Sequence, residues 1–193
     1  MNMKSKNIFT ACIIIIVITI VTILALLLFF NFRNITIESA KEEELKIFKK
    51  EYESVLDGYR NYSEFVYDDV INDDSILKIL YNANKNREKI DFYRDQLFNA
   101  LSEIYEYISE NGFRCLHFYL PDGTSFLRMH RPSNYGDSLF DVRESVRISN
   151  EDKVYIEGFE VGKISACYHF IYPLKYNDDY IGSVEISISM TTI

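Results

Sequence analysis

Glycine, cysteine and histidine are scarce in this sequence, and tryptophan is absent: 7 Gly, 3 Cys, 3 His and no Trp among 193 residues. The thinly spread glycines form no phosphate-cradling loop, and no serine sits in a nucleophile elbow. The cysteines, Cys12, Cys115 and Cys167, make no CxxC pair and no Cys/His cluster of zinc type. His117, His130 and His169 show neither HExxH nor HxxxH spacing. No enzyme, no metal and no cofactor is therefore expected. Positive charge is the other shortage. Lys and Arg number 21 against 29 Asp and Glu, for a net charge of −8. No basic stripe interleaved with aromatics appears, so nucleic acid is excluded as a partner.

Apolar length, by contrast, is plentiful at one end. Ile8 to Phe30 carries no charged side chain, and at ~1.5 Å per helical residue it is long enough for a ~30 Å hydrocarbon core. The run is too long for a signal-peptide apolar region, and no small-residue cleavage site follows Phe30. We expect residues 1–7 to be a short tail and 8–30 a retained transmembrane helix. Counting basic residues on either side of the run favours the opposite orientation, because Arg33, Lys41, Lys46, Lys49 and Lys50 follow it. Those cations are interleaved with Glu38, Glu42, Glu43, Glu44, Glu51 and Glu53, and long domains translocate largely regardless of charge.

Residues 31–111 read as helix. Leu45, Phe48, Tyr52, Val55, Tyr59, Tyr62 and Val66 recur at three- and four-residue spacing, a seam down one helical face. A second stripe, Ile90, Tyr93, Leu97, Leu101, Ile104 and Ile108, predicts a helix over 87–109 that packs on the first. A short helix over 75–81 lies between them. The seam also suits pairing with its mate in a homodimer.

Residues 112–193 change period. Cys115 to Leu120 and Ser125 to His130 flank the turn Pro121-Asp122-Gly123, a hairpin. Alternation places His117 with Tyr119 on one face of the first strand and Phe126, Arg128 and His130 on one face of the second. Asp137-Ser138 is read as the cap of a helix reaching Ile148, with Leu139, Val142 and Val146 turned inward. Strands follow over 154–160, 164–172 and 180–190, the last two joined by the turn Tyr176 to Asp179. In the final strand Val184, Ile186 and Ile188 alternate with Ser183, Glu185, Ser187 and Ser189, which predicts one buried and one wet face. Cys115 and Cys167 both fall in strands, as a disulfide if those strands are neighbours and as two buried thiols if not. The fold class is α+β: an N-terminal transmembrane helix, a long helical stalk, then a five-stranded antiparallel sheet with a crossing helix.

The hairpin HFYLPDGTSFLRMHRP, with Gly136-Asp137, Arg143, Val146, Asn150, Gly158-Phe159-Glu160-Val161-Gly162, Pro173 and Tyr180 to Glu185, resembles the extracytoplasmic Cache sensor domains, in particular the double Cache domain 3-like group. The resemblance implies a PAS-like sheet held outside the cell, a small-molecule ligand, and use as an input module of chemoreceptors, histidine kinases or cyclic-dinucleotide enzymes. It places the bulk of the chain on the periplasmic side of the plasma membrane and residues 1–7 as a cytoplasmic tail.

The candidate ligand-binding residues are His117, Tyr119, Arg128, His130, Arg131, Tyr135, Asp137, Glu160 and Tyr168. Arg128, His130 and Arg131 suit an anion, since guanidinium presents a fork of donors to a carboxylate or phosphate. Six of the nine also have a structural reading. Arg128 pairs with Asp137 or Glu160, His117 is a core histidine, Asp137 caps a helix, Glu160 pairs with Arg143 or Arg128, and Tyr135 and Tyr168 fill the core. The competing functional class is a membrane-anchored assembly or adhesion subunit without a small-molecule ligand.

Overall fold

The computed structural model describes residues 3–161 and 166–189. The chain divides into two compact units, Met1–Asp57 and Gly58–Ile193. The first is helical. Helix α1, Met3–Val66, supplies its described residues and contributes its last turns to the second unit. From Cys12 to Phe30 its apolar run has no protein cover, with Leu28 at 65% exposure and Phe29 at 60%. Among the described residues it is the one helix long and apolar enough to cross a membrane.

In the second unit α1 ends in a π-helical turn, Tyr67–Ile71. Helix α2, Asp74–Lys85, begins where the Asp73 carboxylate accepts from the Ser75 amide, which satisfies one of the free N–H groups of the first turn. It runs a turn beyond the expected end, because Leu80 and Ala83 continue its buried stripe. A 3-10 turn, Arg87–Lys89, leads into α3, Ile90–Glu110, which buries Leu97, Leu101 and Ile108.

The expected pairing of the first and third helices gives way to another arrangement. Helix α3 lies chiefly against α2 and β1. The closing turns of α1 instead pack on the sheet, where Tyr62 stacks on Phe113 with ring centroids 4.9 Å apart and Tyr67 stacks on Tyr172 at 4.4 Å. Aromatic seam residues find more complementary area on a pleated aromatic surface than on the mainly aliphatic stripe of α3.

Five strands follow, all antiparallel: β1 Phe113–Tyr119, β2 Ser125–Arg128, β3 Ile156–Val161, β4 Ala166–Tyr176 and β5 Asp179–Ser189. Their spatial order is β2-β1-β5-β4-β3, so β5 is central. The β4–β5 turn places Asn177 at φ 49° and Asp178 at φ 65°, the left-handed pair that a two-residue hairpin demands. Leu116, Phe118, Leu127, Phe170, Leu174, Val184, Ile186 and Ile188 join the core beneath the helices.

Helix α4, Glu144–Asp152, starts six residues after the expected cap. Asp137 makes no cap because Arg128 takes both of its oxygens. Backbone bonds from Ser125 N to Asp137 O, Gly136 N to Ser125 O and Leu139 N to Gly123 O lay residues 136–139 along β2 as an edge cover. Val142 is consequently exposed, while Leu139 and Phe140 pack with Tyr119, Val146, Ile156 and Ile171 in a small second cluster over the other side of the sheet.

Candidate functional site

That other side of the sheet is polar. Register alone assembles it: His117 lies opposite Arg128 on β2 and Glu185 on β5, Tyr119 opposite Ser183, Cys115 opposite Ser187, and His169 opposite Ser187. A register shift between Phe118 and Tyr119 breaks the alternation expected in β2. Ser125, not Phe126, therefore meets the His117 ring, with Ser125 Oγ 2.8 Å from His117 Nε2, and Phe126 joins the apolar core.

Glu185 is the centre, at 1% exposure. The Tyr119 hydroxyl and Arg143 Nη2, the latter at 3.2 Å, donate to its Oε2, and His169 Nδ1 donates to Oε1 at 2.6 Å. Burial alone would raise the carboxyl. Arg143 and His169 outweigh it and hold Glu185 well below the usual carboxylate range. The same contact works in reverse on its partners: burial and then Glu185 push the Tyr119 phenol well up, and Glu185 raises Arg143 against the lowering effect of burial.

Arg143 stands just before α4 and joins two strands. Its Nε donates to Glu160 Oε2 on β3 at 2.6 Å, and Nη2 also lies 3.1 Å from His169 Nδ1. Glu160 further accepts from Ser145 Oγ at 2.6 Å and from the Glu144 amide at 3.1 Å, so it ties the start of α4 to β3. Burial would raise its carboxyl; Ser145 and Arg143 together lower it. Nη1 of Arg143 is engaged by no described residue and is the uncommitted corner of the fork.

The sequence candidates fall into three groups. Tyr119, Glu160 and His117 stand in or beside the Glu185 cluster, and burial holds His117 well below the ordinary imidazole value, hence neutral. Arg128, Asp137 and His130 form its margin. Arg128 forks onto Asp137 at 2.8 and 2.9 Å and donates to Asn134 O at 2.7 Å, which lowers Asp137. His130 Nδ1 lies 3.3 Å from Cys115 Sγ. The third group lies elsewhere: Arg131 is exposed, Tyr135 stacks on Arg94 with 3.4 Å from Cζ to the ring centroid, and Tyr168 packs with Phe170 in the helix-side core. Cys115 and Cys167 are not joined by a disulfide, since they lie on strands separated by β5.

Arg143, Glu185 and His169 were absent from the sequence candidates. Alternation in β5 did mark Glu185, but as a residue of a wet face. The face is dry because β5 is the middle strand and α4 with residues 139–140 covers it.

Residues 52–193 match the family described as a double sensory domain of two-component sensor kinase, dCache_3. The chain belongs to that family. As a Cache domain it shares its fold with the sensory domain of the Campylobacter jejuni chemoreceptor Tlp3 solved with isoleucine bound, at TM-score 0.51 and 11% identity over 72% of this chain and 55% of that one. The ligand-binding domain of the same chemoreceptor in complex with 4-methylisoleucine gives 0.51 and 10%, over 72% and 54%. The sensor domain of the V. cholerae histidine kinase DctB gives 0.44 and 15%, over 73% and 58%. The chain thus spans little more than half the length of each of these solved domains. No curated protein matches it.

Proposed function

We propose that this chain is the ligand-receiving input portion of a single-pass bacterial signal transducer, of chemoreceptor, histidine kinase or cyclic-dinucleotide enzyme type, and that it acts by binding rather than catalysis. Residues 1–7 form a cytoplasmic tail, 8–30 the membrane anchor, 31–111 the helical portion and 112–193 the sensing sheet, held on the periplasmic side. The exposed apolar seam of Leu45, Phe48, Tyr52 and Val55 on α1 supports a homodimer through the stalk. The observation that carries the binding reading is the Glu185 cluster. Burying carboxylates with a guanidinium costs several kcal/mol per ion before pairing repays it, and well-packed apolar residues would serve stability as well or better. A sheet that spends its central position this way is built to recognise charge.

The ligand is a small anion, and a carboxylate is the group that suits best. Arg128 is already forked onto Asp137, so the anion's partner is Arg143 through Nη1, with the His169 imidazole alongside. Seating there competes with Glu160 for the guanidinium. Because Glu160 also holds the Glu144 amide and Ser145, the arrangement of α4 against β3 responds to occupancy. Only a difference in affinity between two such arrangements moves the equilibrium toward the membrane. Thermal-shift screening of small carboxylic acids against the full chain in detergent tests this reading. Arg143→Gln should abolish every shift while Arg128→Ala preserves it; a shift lost only in the Arg128 variant would relocate the site.

A further inference from the structure

Strand β3 stands at the edge of the sheet with β4 as its neighbour, and none of its residues is fully buried. Phe159 is 55% exposed and Val161 73%, whereas every residue from Ile181 to Ile188 on β5 is buried. Few buried apolar contacts put a segment at the low-stability end of a fold. Beyond the backbone ladder to β4, two carboxylates tie β3 down, one on each face. Glu157 and Glu160 are three residues apart, so strand alternation turns them to opposite sides. On the helix side Arg60 of α1 forks onto Glu157, Nε to Oε2 at 2.6 Å and Nη2 to Oε1 at 2.7 Å, and the Tyr155 hydroxyl donates to Oε2 at 2.7 Å. On the polar side Glu160 holds Arg143, Ser145 and the Glu144 amide at the start of α4. The side chains of Glu157 and Glu160 are 26% and 22% exposed, so water can take over from the guanidinium at either one; Glu185, at 1%, has no such recourse. Both ties can therefore open without stranding a dry charge.

We propose that β3 couples the end of α1 to the start of α4 through the sheet: loosening Glu160 from α4 shifts the strand and slackens the Arg60–Glu157 fork, and loosening that fork acts back on α4. An extended strand rises ~3.3 Å per residue and has almost no stretch in it, so a displacement at 160 arrives at 157, ~10 Å away. The coupling is reciprocal by thermodynamic necessity, whichever end is released first. That a ligand at Arg143 is what loosens Glu160 rests on the reading above. The coupling itself needs no ligand, and it stands or falls apart from that reading.

Hydrogen–deuterium exchange of the full chain in detergent micelles, read by mass spectrometry, tests it on Glu157→Gln, Glu160→Gln and the double variant. Glu157→Gln should speed exchange about fivefold or more in Glu144–Asp152, on the far side of the sheet, and Glu160→Gln should do the same in residues 59–66 of α1. β1 and β5 should keep their protection, which shows that the variants are folded. In the double variant the second substitution should add less than about twofold at either helix, because the strand is already released. Acceleration confined to the helix each glutamate bonds, fully multiplicative effects in the double variant, or equal acceleration in β1 and β5 would each overturn the proposal. Carboxylate binding lost in Arg143→Gln, with the two helices exchanging independently, would keep the ligand reading and remove this one.

Discussion

The two sides of β5 are equally dry and chemically opposite. Val184, Ile186 and Ile188 are buried to 2% exposure or less beneath the helices, and Ser183, Glu185 and Ser187 are buried to 1% or less on the other side of the same strand. The first set stabilises the fold by removing apolar area from water, at about 25 cal/mol per Å². The second set has to recover a desolvation cost through hydrogen bonds and ion pairs before it contributes anything. Equal burial therefore has two meanings in one sheet: the apolar side holds the molecule together, and the polar side holds a charge arrangement ready.

The contrast can be broken from either side. The largest expected loss is from Arg143→Ala, which leaves Glu185 buried without its guanidinium. Removing one partner of a buried pair costs about 3–5 kcal/mol, measurable by chemical denaturation, and a loss under 1 kcal/mol would mean that water enters the cluster freely. Ile186→Ala on the apolar side should cost about 3 kcal/mol through lost transfer energy and a residual cavity, with no change in ligand selectivity.

Acid should act chiefly on the polar side, with Glu157, which accepts from Arg60 Nε of α1 at 2.6 Å, as the contribution from the helix side. His117 and His130 have folded values below the ordinary 6.5. As pH falls below 6.5 the unfolded chain takes protons that the folded one refuses, and stability declines by up to ~1.4 kcal/mol per pH unit for each proton. Glu185, Glu157 and Glu160, whose folded values lie below the ordinary 4.5, and Asp137, below 3.8, add the same direction of loss at lower pH. Melting temperature followed from pH 7 to pH 4 should fall throughout, and His117→Asn should flatten the upper part of the curve. A smaller effect, about 1 kcal/mol, is expected from Arg128→Ala, since Asp137 is half exposed; limited proteolysis should then cut residues 131–137 sooner. The smallest is Lys41→Ala on the outer turns of α1, whose exposed pair with Glu38 is worth ~0.5 kcal/mol or less.

Much of this arrangement was legible in the residues. Alternation in the hairpin and in Tyr180 to Ser189 specified strands, and the turn at Asn177-Asp178 specified how the last two meet. Period alone could not say that β5 is central, because strand order depends on contacts far apart in sequence. For that reason Ser183, Glu185 and Ser187 read as solvent-facing. Asp137 was misplaced for a related reason: a carboxylate three residues after a Pro-Ser-Asn turn has the local signature of a cap, but a guanidinium nine residues earlier in the chain competes for it with a bidentate grip. At the candidate site the sequence marked Tyr119, His117 and Glu160. Arg143 escaped because it lies in the irregular stretch before α4, where neither helical nor strand periodicity assigns a direction to a side chain.

Gly123 sits at φ 75°, and a methyl placed on it would lie 2.1 Å from the Phe140 ring. These two positions consequently share one volume: the aromatic occupies the room that glycine vacates. Neither can drift on its own, so a lineage that gains bulk at 123 has to shed it at 140, and mutational libraries should treat the two as a single locus.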